Sequence, residues 1–274
     1  MWTSLAKGVS NLSVVQLKMF RICQILLFLF SIFLFIVFCF KIPHQPVLFL
    51  LFLLVFGLQH GLKILFVTGQ VSILTQNLDL NKYQETMETC HNFKIFPFYQ
   101  HNEFVRSDYY LKLSLIYFYR GQFKQALEYL DQIEDVHRFR GDMWALKFSM
   151  YYQIYALSKL FSGQDYDFDT VMTYLMVLRP KQKVIKQIID ERIATIKSLQ
   201  DVVKNKKYSE FLDHLSPDNE LEKIIFGYYQ ALNAQVSGNE EKAWRNYLTL
   251  SKLDDDFYYV REAKRYIEEN KYVR

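Results

Sequence analysis

An all-α fold is predicted for this chain of 274 residues, with a membrane-spanning helical hairpin first and a run of helix pairs behind it. Three observations predict it. Two apolar runs, 20–40 and 47–67, each match the length of about 20 residues that a helix needs to cross a hydrocarbon core. After Val67 the apolar residues recur at helical spacing, and no stretch alternates apolar with polar between turn residues as a strand does. Charge divides the chain at the same place. Met1 to Leu78 holds Lys7, Lys18, Arg21, Lys41 and Lys63 and no Asp or Glu; of the 33 basic and 29 acidic residues in all, the remaining 28 and 29 lie beyond Leu78.

Residues 1–19 carry Trp2, Leu5, Val9, Leu12, Val15 and Met19 at spacings of three or four, with Lys7 and Lys18 off that stripe. The pattern predicts an amphipathic helix in the membrane interface; a structureless lead-in is the alternative. The hairpin, 20–67, comes next. Its first span is too long for the apolar core of a secretory signal, no Ala-x-Ala site succeeds it, and a second span comes at once. Lys7, Lys18 and Arg21 before the first span, and Lys63 and Lys82 at and beyond the second, outnumber the single Lys41 of the KIPHQP loop. Lys/Arg bias near span ends sets orientation, so both termini and everything after the hairpin are expected on the cytoplasmic side of the cell membrane. Gln24, Gln59 and His60 are polar residues inside the spans. An antiparallel pairing puts them at similar depth, which predicts a hydrogen bond between the two helices. Gly57-x-x-x-Gly61 fits close helix packing; packing against the first span is favoured over a homodimer.

Residues 68–274 read as one helical domain. Ser216-Pro217 is expected to start the helix over DNELEKIIFGYYQALNAQ. Asp142 is expected to cap the helix beginning at Met143, Ser107 or Asp108 the helix over YYLKLSLIYFYR, and Asp254–Asp256 the last helix. The most specific piece is SDYYLKLSLIYFYRGQFKQALEYLDQIEDVH. Here Tyr110, Leu113, Ser114 and Tyr117 alternate aromatic, large and small residues on one helix, Gly121 marks a turn, and Phe123, Ala126 and Leu130 lie on a second helix. Residues 107–138 thus resemble a tetratricopeptide repeat, a 34-residue helix–turn–helix unit; Arg138 stands where the family has proline. Ala231, Ala234, Gly238, Ala243, Tyr247 and Leu250 form a weaker match. Tyr83 with Thr86 and Cys90, and Tyr208 with Phe211, look like degenerate turns of the same kind. The resemblance implies a right-handed α-solenoid of about five helix pairs closed by a final helix, FYYVREAKRYIEE.

Motif chemistry is sparse. Asp165-x-Asp167-x-Asp169 opens like a calcium loop, but Thr170 and Met176 stand where that loop needs glycine and glutamate, so it reads as a polar connection. Cys90-His91 with His101 reads at most as a fragment of a metal site, and the reading without a metal is favoured. Cys23, Cys39 and Cys90 form no Cys-x-x-Cys pair and suit a reducing compartment. No nucleotide-binding or nucleophile motif is present, so no catalytic residue, cofactor or metal is assigned. The near-neutral region beyond Leu78 has no basic face for nucleic acid. What the resemblance implies instead is a groove lined by the first helix of each pair, with Asp108, Leu111, Lys112, Leu115 and Tyr119 in one unit and Ile225, Tyr228, Tyr229, Leu232 and Val236 in another. The expected function is a membrane-anchored scaffold for a protein or peptide partner. A signal-peptide or small-ligand sensor, or an accessory subunit of a transport or secretion complex, are the alternatives.

Overall fold

The computed structural model describes residues 2–41, 46–91, 103–133 and 141–271; Met1, the loop 42–45, His101 and the segment around Arg138 lie outside them. Among the described residues every regular element is a helix. The chain divides into two compact units, Met1–Phe93 and Lys94–Arg274.

In the first unit, α1 spans Trp2–Ser10, α2 Val14–Lys41, α3 Pro46–Thr75 and α4 Leu80–His91. α2 and α3 are long and apolar enough to cross a membrane, with mean hydropathy of 2.9 and 2.0 over their most apolar windows. Those windows are only 17% and 6% buried. The core helix of a soluble protein would be covered; here Leu26, Phe33, Leu50 and Leu54 point outward instead. The two helices run antiparallel. Phe35 meets Phe52 at 5.5 Å, Phe38 meets Phe49 at 5.4 Å and Phe20 stacks on Phe66 at 6.0 Å, so the numbers of facing residues keep a sum near 87. That register overturns the expected hydrogen bond between spans. Gln24 lies level with Lys63, and Gln59 lies a helical turn away. Gln24 is buried and accepts from Arg21 on its own helix, while Arg21 also covers the Phe66 ring at 5.6 Å. His60 packs on Phe56, 6.1 Å away on its own helix.

The stripe over 1–19 is broken at Asn11–Ser13. Ser13 starts α2 with a capping box: its amide donates to Gln16 Oε1 at 2.8 Å and its hydroxyl accepts from the Gln16 amide at 3.3 Å. Among the described side chains of α1 only Ala6, Val9 and Ser10 are buried, and α1 packs on α3; Val15 and Met19 are exposed. The close-packing glycine is Gly69, where an added Cβ would come within 2.5 Å of Val9 Cγ1. Gly57 and Gly61, expected to pack on the first span, have nothing within 4 Å of that position. The carbonyl of Ser10 at the end of α1 accepts from Lys82 Nζ at 2.7 Å and Asn77 Nδ2 at 3.3 Å, a cation at the negative end of a helix. α4, started by the Asp79 carboxylate on the Lys82 amide at 2.7 Å, packs on both α2 and α3. Residues 80–91, grouped by the sequence with the repeats, therefore sit in the hairpin's unit.

The second unit is a succession of helix pairs: α5 Glu103–Tyr119 with α6 Phe123–Asp131, α7 Asp142–Phe161 with α8 Phe168–Met176, α9 Lys183–Val203 with the single turn α10 Glu210–Asp213, and α11 Glu220–Val236 with α12 Glu240–Leu250; α13 Tyr258–Asn270 ends it. Each pair packs within itself and on the next. Small residues make the seams: Ala126, Ala231 and Ala243 have no exposed surface, and neither has Ser114, whose hydroxyl is spent on the Leu111 carbonyl at 2.8 Å.

Several helix starts differ from expectation because a tertiary or better-placed partner wins. Ser107 and Asp108 fall inside α5. α11 is capped by Asn219, in extended backbone with its side chain on the Glu222 amide at 3.0 Å, rather than by Ser216. Asp142 opens α7, but its carboxylate accepts from the amides of Lys181 and Gln182 at 2.7 and 2.9 Å and so ties the start of α9 to the start of α7. The residue before α13 is Phe257, without a side-chain cap; Asp255 and Asp256 offer their carbonyls to Arg261. Asp167 caps α8 through the Thr170 amide at 2.9 Å, and Asp165 pairs with Lys204 at 2.9 Å.

Candidate functional site

The ten positions assigned to the groove separate into three groups. Asp108 and Lys112 are held by charge. One Asp108 oxygen meets Lys112 Nζ at 2.8 Å, and the other meets Lys147 Nζ of α7, also at 2.8 Å. Burial works against ionisation of Asp108, but the two ammonium groups outweigh it and hold the carboxyl below its usual range. Leu111, Tyr228 and Tyr229 are core, at 5%, 4% and 2% exposed. Leu115, Tyr119, Ile225, Leu232 and Val236 are half-buried.

The core tyrosines belong to an aromatic cluster that α13 completes. Phe161 of α7 lies 6.3 Å from Tyr228 and 6.4 Å from Tyr229. Tyr259 stands 5.1 Å from Tyr228, and its hydroxyl meets that of Tyr229 at 3.3 Å. The same segment reaches back to the first pair: Phe257 to Tyr119 at 6.2 Å, Tyr259 to Phe118 at 6.5 Å, Tyr258 to Phe123 at 5.0 Å. Gly121, at φ +67°, is required twice over, because a Cβ there would also come within 2.6 Å of Tyr258. The last helix thus does more than cap the stack. It packs its aromatic start against the α5–α6 turn and joins the rings of α5, α7 and α11. Burial raises the phenol pKa of Tyr151 and Tyr166 to about 12 and pushes up those of Tyr119, Tyr228, Tyr229 and Tyr259 as well.

Three polar residues outside the repeat pattern organise this unit. Lys147, the cross-helix partner of Asp108, also holds its ammonium over the Trp144 ring at 5.6 Å. Arg192 of α9 reaches α7, donating to the Leu146 carbonyl at 2.8 Å and Ser149 Oγ at 2.7 Å. Its acceptors are neutral, and burial lowers its pKa to about 10. Asn233, with no exposed surface, grips both the amide and the carbonyl of Ser209 at 2.8 Å and donates to Asp213 at 2.9 Å. Asp213 also accepts from Lys242 and Tyr208, at 2.9 and 3.1 Å; these bonds outweigh its burial and hold its pKa down. A polar residue on an otherwise apolar helix face was the available sequence sign for Arg192 and Asn233.

The crevice lined by Ser107, Leu111, Ile133, Trp144, Lys147, Phe148 and Tyr151 has room for about one water molecule. Cys90 accepts from Gln70 Nε2 at 3.7 Å. Among the described residues no three metal-ligating side chains come together. Comparison with protein-family models, with curated proteins and with solved structures finds no match to this chain.

Proposed function

We propose that this protein is a membrane-anchored scaffold whose stack of helix pairs binds a protein or peptide at the cytoplasmic face of the membrane. One observation carries the reading: two long helices with apolar side chains turned outward are joined to a unit of tandem helix pairs. The first supplies an anchor, and the second supplies an extended surface of the kind that helix-pair arrays use for binding. The contact would involve the half-buried Leu115, Ile225 and Leu232, with the core rings of Tyr228 and Tyr229 setting their position.

A second reading has its own observation. Gly57 and Gly61 lie open on α3, a surface on which another membrane helix could pack closely. That suits an accessory subunit of a membrane complex, or a homodimer. Photo-crosslinking side chains placed one at a time at Ile225, Leu232 and Leu58 of the full-length protein in native membranes separate the readings. Adducts with another protein at 225 and 232 support the scaffold. Adducts at 58 alone support the subunit, and a product of twice the monomer mass supports the homodimer. No adduct at 225 or 232 overturns the scaffold proposal.

A further inference from the structure

We propose that the end of the second unit formed by the starts of α7 and α9 and the end of α8 is a docking surface for an anionic lipid bilayer. Four apolar side chains stand out there: Met143 at 57% exposed, Met176 at 47%, Val177 at 60% and Val184 at 65%. They are brought together by the fold. The Asp142 carboxylate holds the amides of Lys181 and Gln182, which places the start of α7 beside the start of α9. Leu178 packs under the connection, against Ala145 and Ile185. The apolar tips are therefore mounted on a supported platform rather than a free loop.

The rim is basic. Residues 170–189 contain Arg179, Lys181, Lys183 and Lys186 and no acidic residue. Lys181, Lys183, Lys186 and Arg179 are all exposed, and Arg179 donates to the carbonyls of Met176 and Leu178, which sets its guanidinium beside the apolar tips. The Asp142 carboxylate is engaged by two backbone amides; on α9 the first acidic residues are Asp190 and Glu191, with Asp190 one turn beyond Lys186. This concentration of charge is local, since the chain beyond Leu78 as a whole holds 28 basic and 29 acidic residues. Apolar tips inside a cationic rim suit a lipid surface, where the tips enter the headgroup boundary and the cations meet anionic headgroups. An acidic peptide would satisfy the charges but leave the four apolar tips without a groove to enter.

The choice of a bilayer rests on the proposed membrane anchoring, because a chain tethered by two spans keeps this unit at high local concentration beside lipid. Each cation is expected to strengthen such a contact by roughly fivefold in low salt, so the four act together.

The test uses the full-length protein, with Cys23, Cys39 and Cys90 replaced by serine and Val177→Cys carrying an environment-sensitive fluorophore, reconstituted into zwitterionic or anionic phospholipid vesicles. Leu248→Cys, labelled in the same way, is the reference, and circular dichroism checks both. The expected result is a blue shift and quenching by brominated lipid at position 177 in anionic vesicles alone. Both should disappear in high salt or when Arg179, Lys181, Lys183 and Lys186 are replaced together by Gln, and position 248 should not respond. An unshifted probe at 177, or an equal shift in zwitterionic vesicles, overturns the proposal, as does a shift produced only by added poly-glutamate. Flotation separates this from the anchor: failure to float with zwitterionic vesicles sinks the anchoring reading, whereas flotation with an unresponsive probe sinks the docking surface alone. Val184→Cys repeats the measurement if Val177→Cys fails to fold.

Discussion

Asn233 has no exposed surface, and both ends of its amide are spent on Ser209. It does for the turn before α10 what a neighbouring strand does for an extended backbone: it satisfies a half-buried N–H and C=O at once. Asn233→Leu should therefore cost about 1–3 kcal/mol or more, since it orphans two backbone groups and one Asp213 bond. Thermal melts of Asn233→Leu and of the exposed Lys252→Ala check this, and equal midpoints would remove Asn233 from the structural argument. Two glycines give a second comparison at this scale. Gly121 and Gly238 share a left-handed backbone, at φ +67° and +74°, but only Gly121 faces another residue, Tyr258. Gly238→Ala should cost the left-handed penalty of about 1–2 kcal/mol. Gly121→Ala should cost more, because Tyr258 must also move; a smaller loss at 121 than at 238 would show that α13 does not lie on that turn.

At the scale of elements, helix pairs stand on small residues in their seams. Ala126 has no exposed surface where α6 lies on α5. Ala126→Leu should destabilise by about 1–3 kcal/mol through overpacking, whereas the exposed Lys124→Ala should stay within about 0.5 kcal/mol. α13 contributes differently, through Phe257, Tyr258 and Tyr259. Tyr259→Ala should cost about 3–5 kcal/mol, as aromatic truncation in a core does, and it should expose Phe118 and Phe161 together. The measurement is urea unfolding monitored by near-ultraviolet circular dichroism. A loss below about 1 kcal/mol would mean that the end of the chain does not close on its first pair. The helical periodicity of the pairs was legible in the sequence because it is set by contiguous residues. The caps at Ser216, Asp142 and Asp254–Asp256 were misread because an Asp or Ser before a helix has several partners to choose from. For Asp142 the choice went to two amides about 40 positions away in sequence.

At the scale of the molecule, the buried tyrosines set the response to alkali. Burial holds the phenols of Tyr151 and Tyr166 at about 12, above the ordinary 10, and raises those of Tyr228, Tyr229, Tyr247 and Tyr259 too. Below the ordinary value both folded and unfolded chains are protonated and nothing changes. Above it the unfolded chain loses these protons while the folded one keeps them, so stability falls as pH rises from about 10 towards the folded values. Arg192, lowered to about 10, acts with the opposite sign between there and its ordinary value, but it is one group against many. Melting temperature should drop steeply above about pH 10, and tyrosinate absorbance should lag until unfolding releases it. Full ionisation of all 20 tyrosines at the ordinary pKa in the folded protein would contradict the cluster. Orientation is tested on intact cells. An impermeant thiol reagent should label a cysteine engineered at Pro43 and should fail on one at Val273; the reverse would place the second unit outside.

The sequence by itself determined what depends on contiguous residues: two apolar helices long enough to cross a membrane, the helical class of the region beyond them, and the position of turns such as Gly121 and Gly238. Hydrocarbon transfer and intrahelical hydrogen bonding are local, so composition and spacing report them. Only the tertiary structure decided which of several chemically equal residues is in contact. Gly69 rather than Gly57 or Gly61 meets a neighbouring helix, and Gln24 turns to Arg21, because the register of the hairpin sets who faces whom. Tyr228 and Tyr229 are core rather than groove because α13 returns to cover them. Met176, Val177 and Val184 share one exposed end because Asp142 ties α9 to α7. Each of these outcomes is fixed by a pairing between distant segments, and a linear pattern of residue types carries no record of that pairing.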